Sequence, residues 1–299
     1  MYRGTIFVVL CLVVLSIGLS ASPAYATLLP PSADRVLWMA ADTSVTVDGV
    51  GTVTSWKDAG TSAEWVEGVV GTPKTATSTF PSGTHSVVRF DGDASGGAAY
   101  GAGSGIRLLN DASLALNPIS IYVVVNNIDT GYASRQFISN FNSVGGDGGY
   151  GFGIDDATAG LAKWWATPGG NFAPAIGALS AGTGYLLTAT LTTTTKLEGV
   201  SDGTTSQSES TTGYTIGYNT PNAALGCLVY GAGDVNVIQR LNGDIAEVLV
   251  YSSVNSTQRT AVEAYLQEKY FTVVPEPASL VLLATGLLGL LAYAWRKRK

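Results

Sequence analysis

His85 is the one histidine of the chain, so any Ser-His-Asp or Cys-His constellation must use it. A three-histidine zinc site is excluded for the same reason. It stands in Pro-Ser-Gly-Thr-His-Ser-Val-Val, just before a strand, where a histidine reads as a solvated turn residue. Carboxylate chemistry needs two acids facing each other about 5–9 Å apart, one of them kept protonated. On a strand that requires even spacing, because alternate side chains share a face. Asp244 and Glu247 are three apart and should point to opposite faces. Asp91 and Asp93 share parity, but Gly92 between them marks a turn. The expectation is a protein without a catalytic constellation, with a glycan hydrolase as the alternative.

Two further places could bind rather than react. Gly145 to Gly151 form a glycine-rich loop around Asp147, followed by Asp155 and Asp156. Such oxygen-rich loops can wrap calcium, although these acids lack regular ligand spacing and a hairpin connection is the competing reading. Trp164 and Trp165, with Tyr150 nearby, could stack on a sugar ring. Adjacent residues of a strand face opposite ways, so one indole should be core and the other exposed. Cys227 lies in Ala-Leu-Gly-Cys-Leu-Val-Tyr, the setting of a buried, inert thiol. Gly101, Gly103 and Gly105 do not lead from a strand into a helix, so no nucleotide loop is inferred.

The elements that must position these residues are mostly strands. Val36 to Met39, Thr52 to Trp56, Val87 to Phe90, Ile119 to Val125, Tyr185 to Thr192 and Asp244 to Tyr251 are alternating or continuous apolar runs bounded by turn residues. Their spacing favours an antiparallel two-sheet sandwich over βαβ units. One helix follows the last strand. Asn255 with Gln258 reads as a capping box, and Val262, Tyr265, Leu266, Lys269 and Tyr270 form its packing stripe.

Both ends carry transport signals. Arg3, the apolar run Ile6 to Ile17 and Ala24-Tyr25-Ala26 read as a signal peptide of residues 1–26, cleaved after Ala26. Cys11 lies in it, so Cys227 is the single cysteine left in the body and no intramolecular disulfide can form. The tail, residues 273–299, contains Pro275-Glu276-Pro277, an uncharged stretch 278–295 and the basic stop Arg296-Lys297-Arg298-Lys299. At 1.5 Å per residue, such a stretch spans roughly 27 Å as a transmembrane helix. Cations beyond it stay cytoplasmic. Without Arg3 and the four tail cations, 11 of 16 Lys+Arg remain; without Glu276, 21 of 22 Asp+Glu remain. The body, 27–272, therefore carries −10, which argues against nucleic acid as a partner.

Pro275-Glu276-Pro277 before a leucine-rich span and a basic end resembles the PEP-CTERM sorting domain of Gram-negative bacteria. That resemblance implies recognition and removal by an exosortase, in bacteria that make exopolysaccharide. A second resemblance covers about Leu29 to Phe271. It rests on Val36-Leu37-Trp38, Val53-Thr54-Ser55-Trp56-Lys57-Asp58, Val88-Arg89-Phe90-Asp91-Gly92, and the ending Gly243 to Tyr251 followed by Val262-Glu263-Ala264-Tyr265-Leu266. These look like the laminin-G-like, concanavalin A-like jelly roll. The loop after Asp58 departs from it, with Ala59-Gly60-Thr61-Ser62 replacing the usual Gly-Asn-Gly. The resemblance implies two antiparallel sheets with a concave face that often binds glycans, sometimes with calcium.

The expected protein is thus an all-β jelly-roll sandwich with one C-terminal packing helix and a C-terminal transmembrane helix. It would be held briefly in the inner membrane, processed by exosortase, and delivered to the cell surface or exopolysaccharide matrix. There it would be carbohydrate-associated or adhesive.

Overall fold

The β-branched and alternating runs form nineteen strands among the described residues, numbered β1 to β19 in chain order. The computed structural model describes residues 29–92, 103–109, 111–129, 135–141, 148–154, 161–167, 172–191, 194–201, 204–212, 216, 222–229, 237–273 and 277–297. One sheet runs β15 (Thr204–Thr212), β14 (Thr194–Ser201), β13 (Tyr185–Leu191), β8 (Ile119–Asn126), β19 (Gly243–Tyr251), β6 (Gly83–Phe90), β5 (Lys74–Phe80). To it β1 (Arg35–Ala40) adds by pairing with β19. The other runs β12 (Phe172–Ala178), β11 (Leu161–Thr167), β10 (Gly149–Ile154), β9 (Arg135–Phe141), β16 (Ala223–Leu225), β7 (Gly105–Leu108), β4 (Val66–Val70). Two small ribbons pair β2 (Val45–Val47) with β3 (Val53–Trp56), and β17 (Leu228–Val229) with β18 (Val237–Ile238). Every pairing is antiparallel, which lets each sheet bury one or both faces without crossover helices.

The sheets share one core. Ile121, Val123 and Val125 of β8, Leu187 of β13 and Val248 and Val250 of β19 pack with Ile106 of β7, Ile138 of β9, Phe152 of β10 and Leu225 of β16. β8 is buried along its whole length, because the opposite face is covered as well. The cover is α1 (Ser256–Tyr270), whose Val262, Tyr265, Leu266 and Tyr270 pack on Tyr122, Val124, Leu186, Leu249 and Tyr251. Each fully buried aliphatic there contributes about 1.5–3 kcal/mol. This is the two-sheet sandwich with a C-terminal packing helix that the sequence implies.

Two local expectations change. Asn255 does cap α1, accepting hydrogen bonds from the backbone N–H groups of Thr257 and Gln258. Gln258 does not close a capping box: its amide donates to the Ala33 carbonyl and accepts from the Ser253 hydroxyl, tying the helix start to the beginning of the body. The second change is in β19. Along its edge the partner switches from β6, at Gly243 to Ile245, to β1, at Glu247 to Tyr251. A bulge between Ile245 and Glu247 sits at the switch, and Ala41 donates to the Ala246 carbonyl there at 2.9 Å. One extra residue shifts the alternation. Ile245 and Val248 point into the sandwich, whereas Ala246, Leu249 and Tyr251 face α1.

A second helix, α2, spans Pro277–Lys297.

Candidate functional site

The bulge in β19 decides the fate of the two acids that parity had placed on opposite faces. Asp244 and Glu247 both lie on the α1-facing side, one on each side of the bulge, and both are fully buried. Asp244 takes a bidentate bond from Arg89 Nε and Nη2 at 2.7 and 2.8 Å. It also accepts from the Ser78 hydroxyl and the Asn127 amide. The bond to Asp244 raises the Arg89 pKa. Glu247 accepts four donors: Trp38 Nε1 at 2.6 Å, the Tyr265 hydroxyl at 2.7 Å, Lys269 Nζ at 2.8 Å and the Tyr270 hydroxyl at 2.8 Å. Lys269 also pairs with Asp42 at 2.9 Å. Burial works against its charge, but Glu247 and then Asp42 outweigh that and hold its pKa above the ordinary value. Burial, reinforced by Glu247, pushes both tyrosine hydroxyls upward. Each carboxylate is thus saturated by fixed donors, and neither is placed to exchange a proton with a substrate. The acids clamp α1 and the β5–β6 hairpin to the sheet.

His85 is also not a solvated turn residue. It is half-buried, its ring 5.7 Å from that of Phe80 and 4.8 Å from that of Tyr270. Its Nε2 lies 2.8 Å from the Ser82 hydroxyl, a spacing that a Ser-His dyad would also show. The direction of the bonds argues otherwise. Ser82 Oγ donates to the Lys269 carbonyl at 2.8 Å, and its N–H donates to the Tyr270 carbonyl at 3.2 Å. With the hydroxyl proton engaged there, His85 Nε2 is the donor to Ser82 and cannot act as its base. The turn between β5 and β6 is a cap for the last carbonyls of α1.

The loop after Asp58, where the sequence departs from its look-alikes, is organised by Asp58 itself. The buried carboxylate accepts from Trp38 N, Gly60 N, Thr61 N and Thr61 Oγ at 2.7–2.9 Å. Ser62 takes a positive φ of 60° to close it. Cys227 is buried between Ala224 and Val229, and burial raises its thiol pKa to about 12. It is buried, as expected.

The candidate sugar and calcium residues fare differently. Tyr150 is fully buried in the inter-sheet core, which removes it from any solvent-facing platform. Its strand position pairs with Asn140 of β9, and that register turns it inward. Trp164 and Trp165 lie on β11, opposite Phe152 and Gly151 respectively. Their side chains fall outside the described set, as do Asp147, Asp155 and Asp156. Among the described residues, no group of three or more His, Cys, Asp or Glu is arranged to hold a metal ion.

Of the tail, Pro277 is the first residue of α2, a position that suits its fixed φ and missing N–H. Arg296 and Lys297 lie in its last turn, where the helix dipole favours cations. Leu290, Leu291 and Trp295 are exposed on it. Ala24, Ala26, Pro275, Glu276, Arg298 and Lys299 lie outside the described residues. Among the described residues, no helix is long and apolar enough to cross a membrane.

Residues 273–299 match the PEP-CTERM protein-sorting motif. No curated protein matches the chain in sequence. Among solved structures, domain 4 of AbnA, a GH43 extracellular arabinanase from Geobacillus stearothermophilus in complex with arabinotriose, is 12% identical. The match covers 77% of this chain and 97% of that one, with a TM-score of 0.47. A mutant Trypanosoma rangeli sialidase displaying trans-sialidase activity is 14% identical over 82% of this chain and 35% of its own, with a TM-score of 0.49. Botulinum neurotoxin type C, whose cell entry depends on interaction with two ganglioside molecules, is 9% identical over 81% of this chain and 53% of its own, at 0.49. The chain thus spans only part of the last two proteins.

Proposed function

We propose that the chain is an exosortase substrate: an exported, non-enzymatic β-sandwich that is held in the inner membrane by its tail until that tail is processed. The observation that carries this reading is the sorting motif at residues 273–299. The order of its parts supports it: Pro275-Glu276-Pro277, then an uncharged run through Trp295, then four cations. Residues 278–295 are the membrane span in this reading, and residues 1–26 the leader that starts export. Two prolines around one glutamate disfavour helix before Pro277 and leave an extended segment at the membrane surface for a processing enzyme.

The delivered body acts at the cell surface or in the exopolysaccharide matrix, associated with carbohydrate. Support for a binding rather than a hydrolytic role comes from β19, whose two acids are both consumed in holding α1 and the β5–β6 hairpin. Replacing Pro275, Glu276 and Pro277 by alanine tests the sorting half. The variant should accumulate at full length in the inner membrane fraction, and normal release would overturn the reading. Binding of the released protein to host exopolysaccharide and to a glycan array, with and without calcium, tests the other half. Silence in both conditions removes the carbohydrate association and leaves sorting untouched.

A further inference from the structure

The end of α1 is held by three devices that meet at one side chain. The Ser82 turn closes the Lys269 and Tyr270 carbonyls. Phe80 packs against Tyr270 at 5.1 Å and against Phe271 at 6.1 Å between ring centroids. His85 stands between them, hydrogen-bonded to Ser82 and in ring contact with Phe80 and Tyr270. Phe271 is buried in this cluster, and it is followed by Thr272, the last residue of the sandwich.

We propose that His85 is a proton-operated latch: neutral, it fastens the last turn of α1 and Phe271 to the β5–β6 hairpin, and protonated, it lets them loosen.

The Ser82 hydroxyl proton is committed to the Lys269 carbonyl, so the neutral ring must carry its proton on Nε2, and an added proton goes to Nδ1. That second proton makes the half-buried ring a cation. Around it stand the Lys269 ammonium from α1, the Asp42 carboxylate that follows β1, and the aromatic rings of Phe80 and Tyr270. Burial and then Lys269 disfavour the charge, Asp42 opposes them more weakly, and the outcome is a pKa below the ordinary 6.5. The negative end of the helix dipole attracts cations, but Lys269 already occupies that position, paired to Asp42 and Glu247. Because the folded pKa is depressed, the unfolded or opened segment binds the proton more readily. The latch is therefore complete above about pH 6.5 and weakens as pH falls from there toward the folded value.

As the chain has a single histidine, no other imidazole contributes to a change centred in this range. Hydrogen exchange of the full-length protein in detergent micelles, followed by mass spectrometry at pH 7.5, 6.5 and 5.5, reads the latch directly. Protection factors for the last turn of α1 should fall by up to about tenfold per pH unit below 6.5, the limit for one proton. Those of β8 should remain flat. In His85→Phe, which keeps a ring in the slot, and in His85→Gln, which keeps a donor to Ser82, the fall should disappear. The same fall in both variants, or one shared equally by β8, would overturn the proposal. Proton NMR titration of the His85 ring in the wild type needs no variant, and a pKa at or above 6.5 would overturn it equally.

Discussion

Glu247→Gln isolates what the buried carboxylate contributes, because it preserves shape and removes only charge and one acceptor. The carboxylate presents two oxygens to four donors, Trp38 and Tyr265 on one and Lys269 and Tyr270 on the other. An amide keeps one oxygen, so whichever way it is oriented, two donors meet an NH2 group. A buried donor left unpaired costs about 1–3 kcal/mol. If the oxygen stays with Trp38 and Tyr265, Lys269 retains Asp42, and the loss falls mainly on Tyr270 and the ion pair. The expected destabilisation is about 2–4 kcal/mol, a large share of the roughly 5–15 kcal/mol that a domain has. Equilibrium urea unfolding of the purified protein, followed by tryptophan fluorescence, measures it as a lower midpoint at unchanged slope. Lys269→Met should also be costly, since it leaves the buried Glu247 charge with three neutral donors and no cation. The double variant should be milder than the sum of the singles by about 0.5–3 kcal/mol. A Glu247→Gln cost below about 1 kcal/mol, or strict additivity, would refute the clamp.

Two other expectations follow from the second face of the sandwich. Gly226 has φ of +69°, and a methyl there would overlap the Phe90 ring, so Gly226→Ala combines left-handed strain with overpacking. A loss of about 2–4 kcal/mol in urea unfolding is expected, and a neutral result would mean that this turn relaxes freely. Cys227, with its thiol pushed up to about 12, should react with iodoacetamide at pH 8 on the order of 1,000-fold more slowly than a free thiol, until urea unfolds the protein. Rapid labelling of the native protein would contradict its burial.

The strands and α1 were legible because their signals are local. The run Ile119–Asn126 is apolar apart from Ser120 and Asn126 and is buried on both faces, and the stripe Val262, Tyr265, Leu266 and Tyr270 is the buried side of α1. What escaped the sequence depends on distant partners. Strict alternation through β19 fails at Ala246 because that edge is shared by β6 and β1, a fact of topology that no window around residue 246 contains. His85 sits in a polar turn by sequence, yet its neighbour Tyr270 arrives from 185 positions further along the chain. Tyr150 follows a run of glycines that suggested an exposed loop, but strand register with β9 turns it into the core.

The same contrast explains why the tail can be read more fully than the body. A membrane-embedded processing enzyme meets its substrate as a short extended segment beside an apolar span, so recognition uses residues adjacent in sequence. Pro275-Glu276-Pro277 and the basic end are contiguous in sequence, so they can be read from it directly. A sugar site on a sandwich, by contrast, is assembled from side chains of several strands, and their facing is set by register. A single bulge was enough to bring Asp244 and Glu247 to one face after alternation had separated them. Once there, the acids bind a helix and a hairpin instead of a ligand, since Arg89, Lys269 and the three aromatic donors reach them first. Spacing can exclude a pair of acids only where the strand that carries them is regular, and here a shared face without free valence serves the fold.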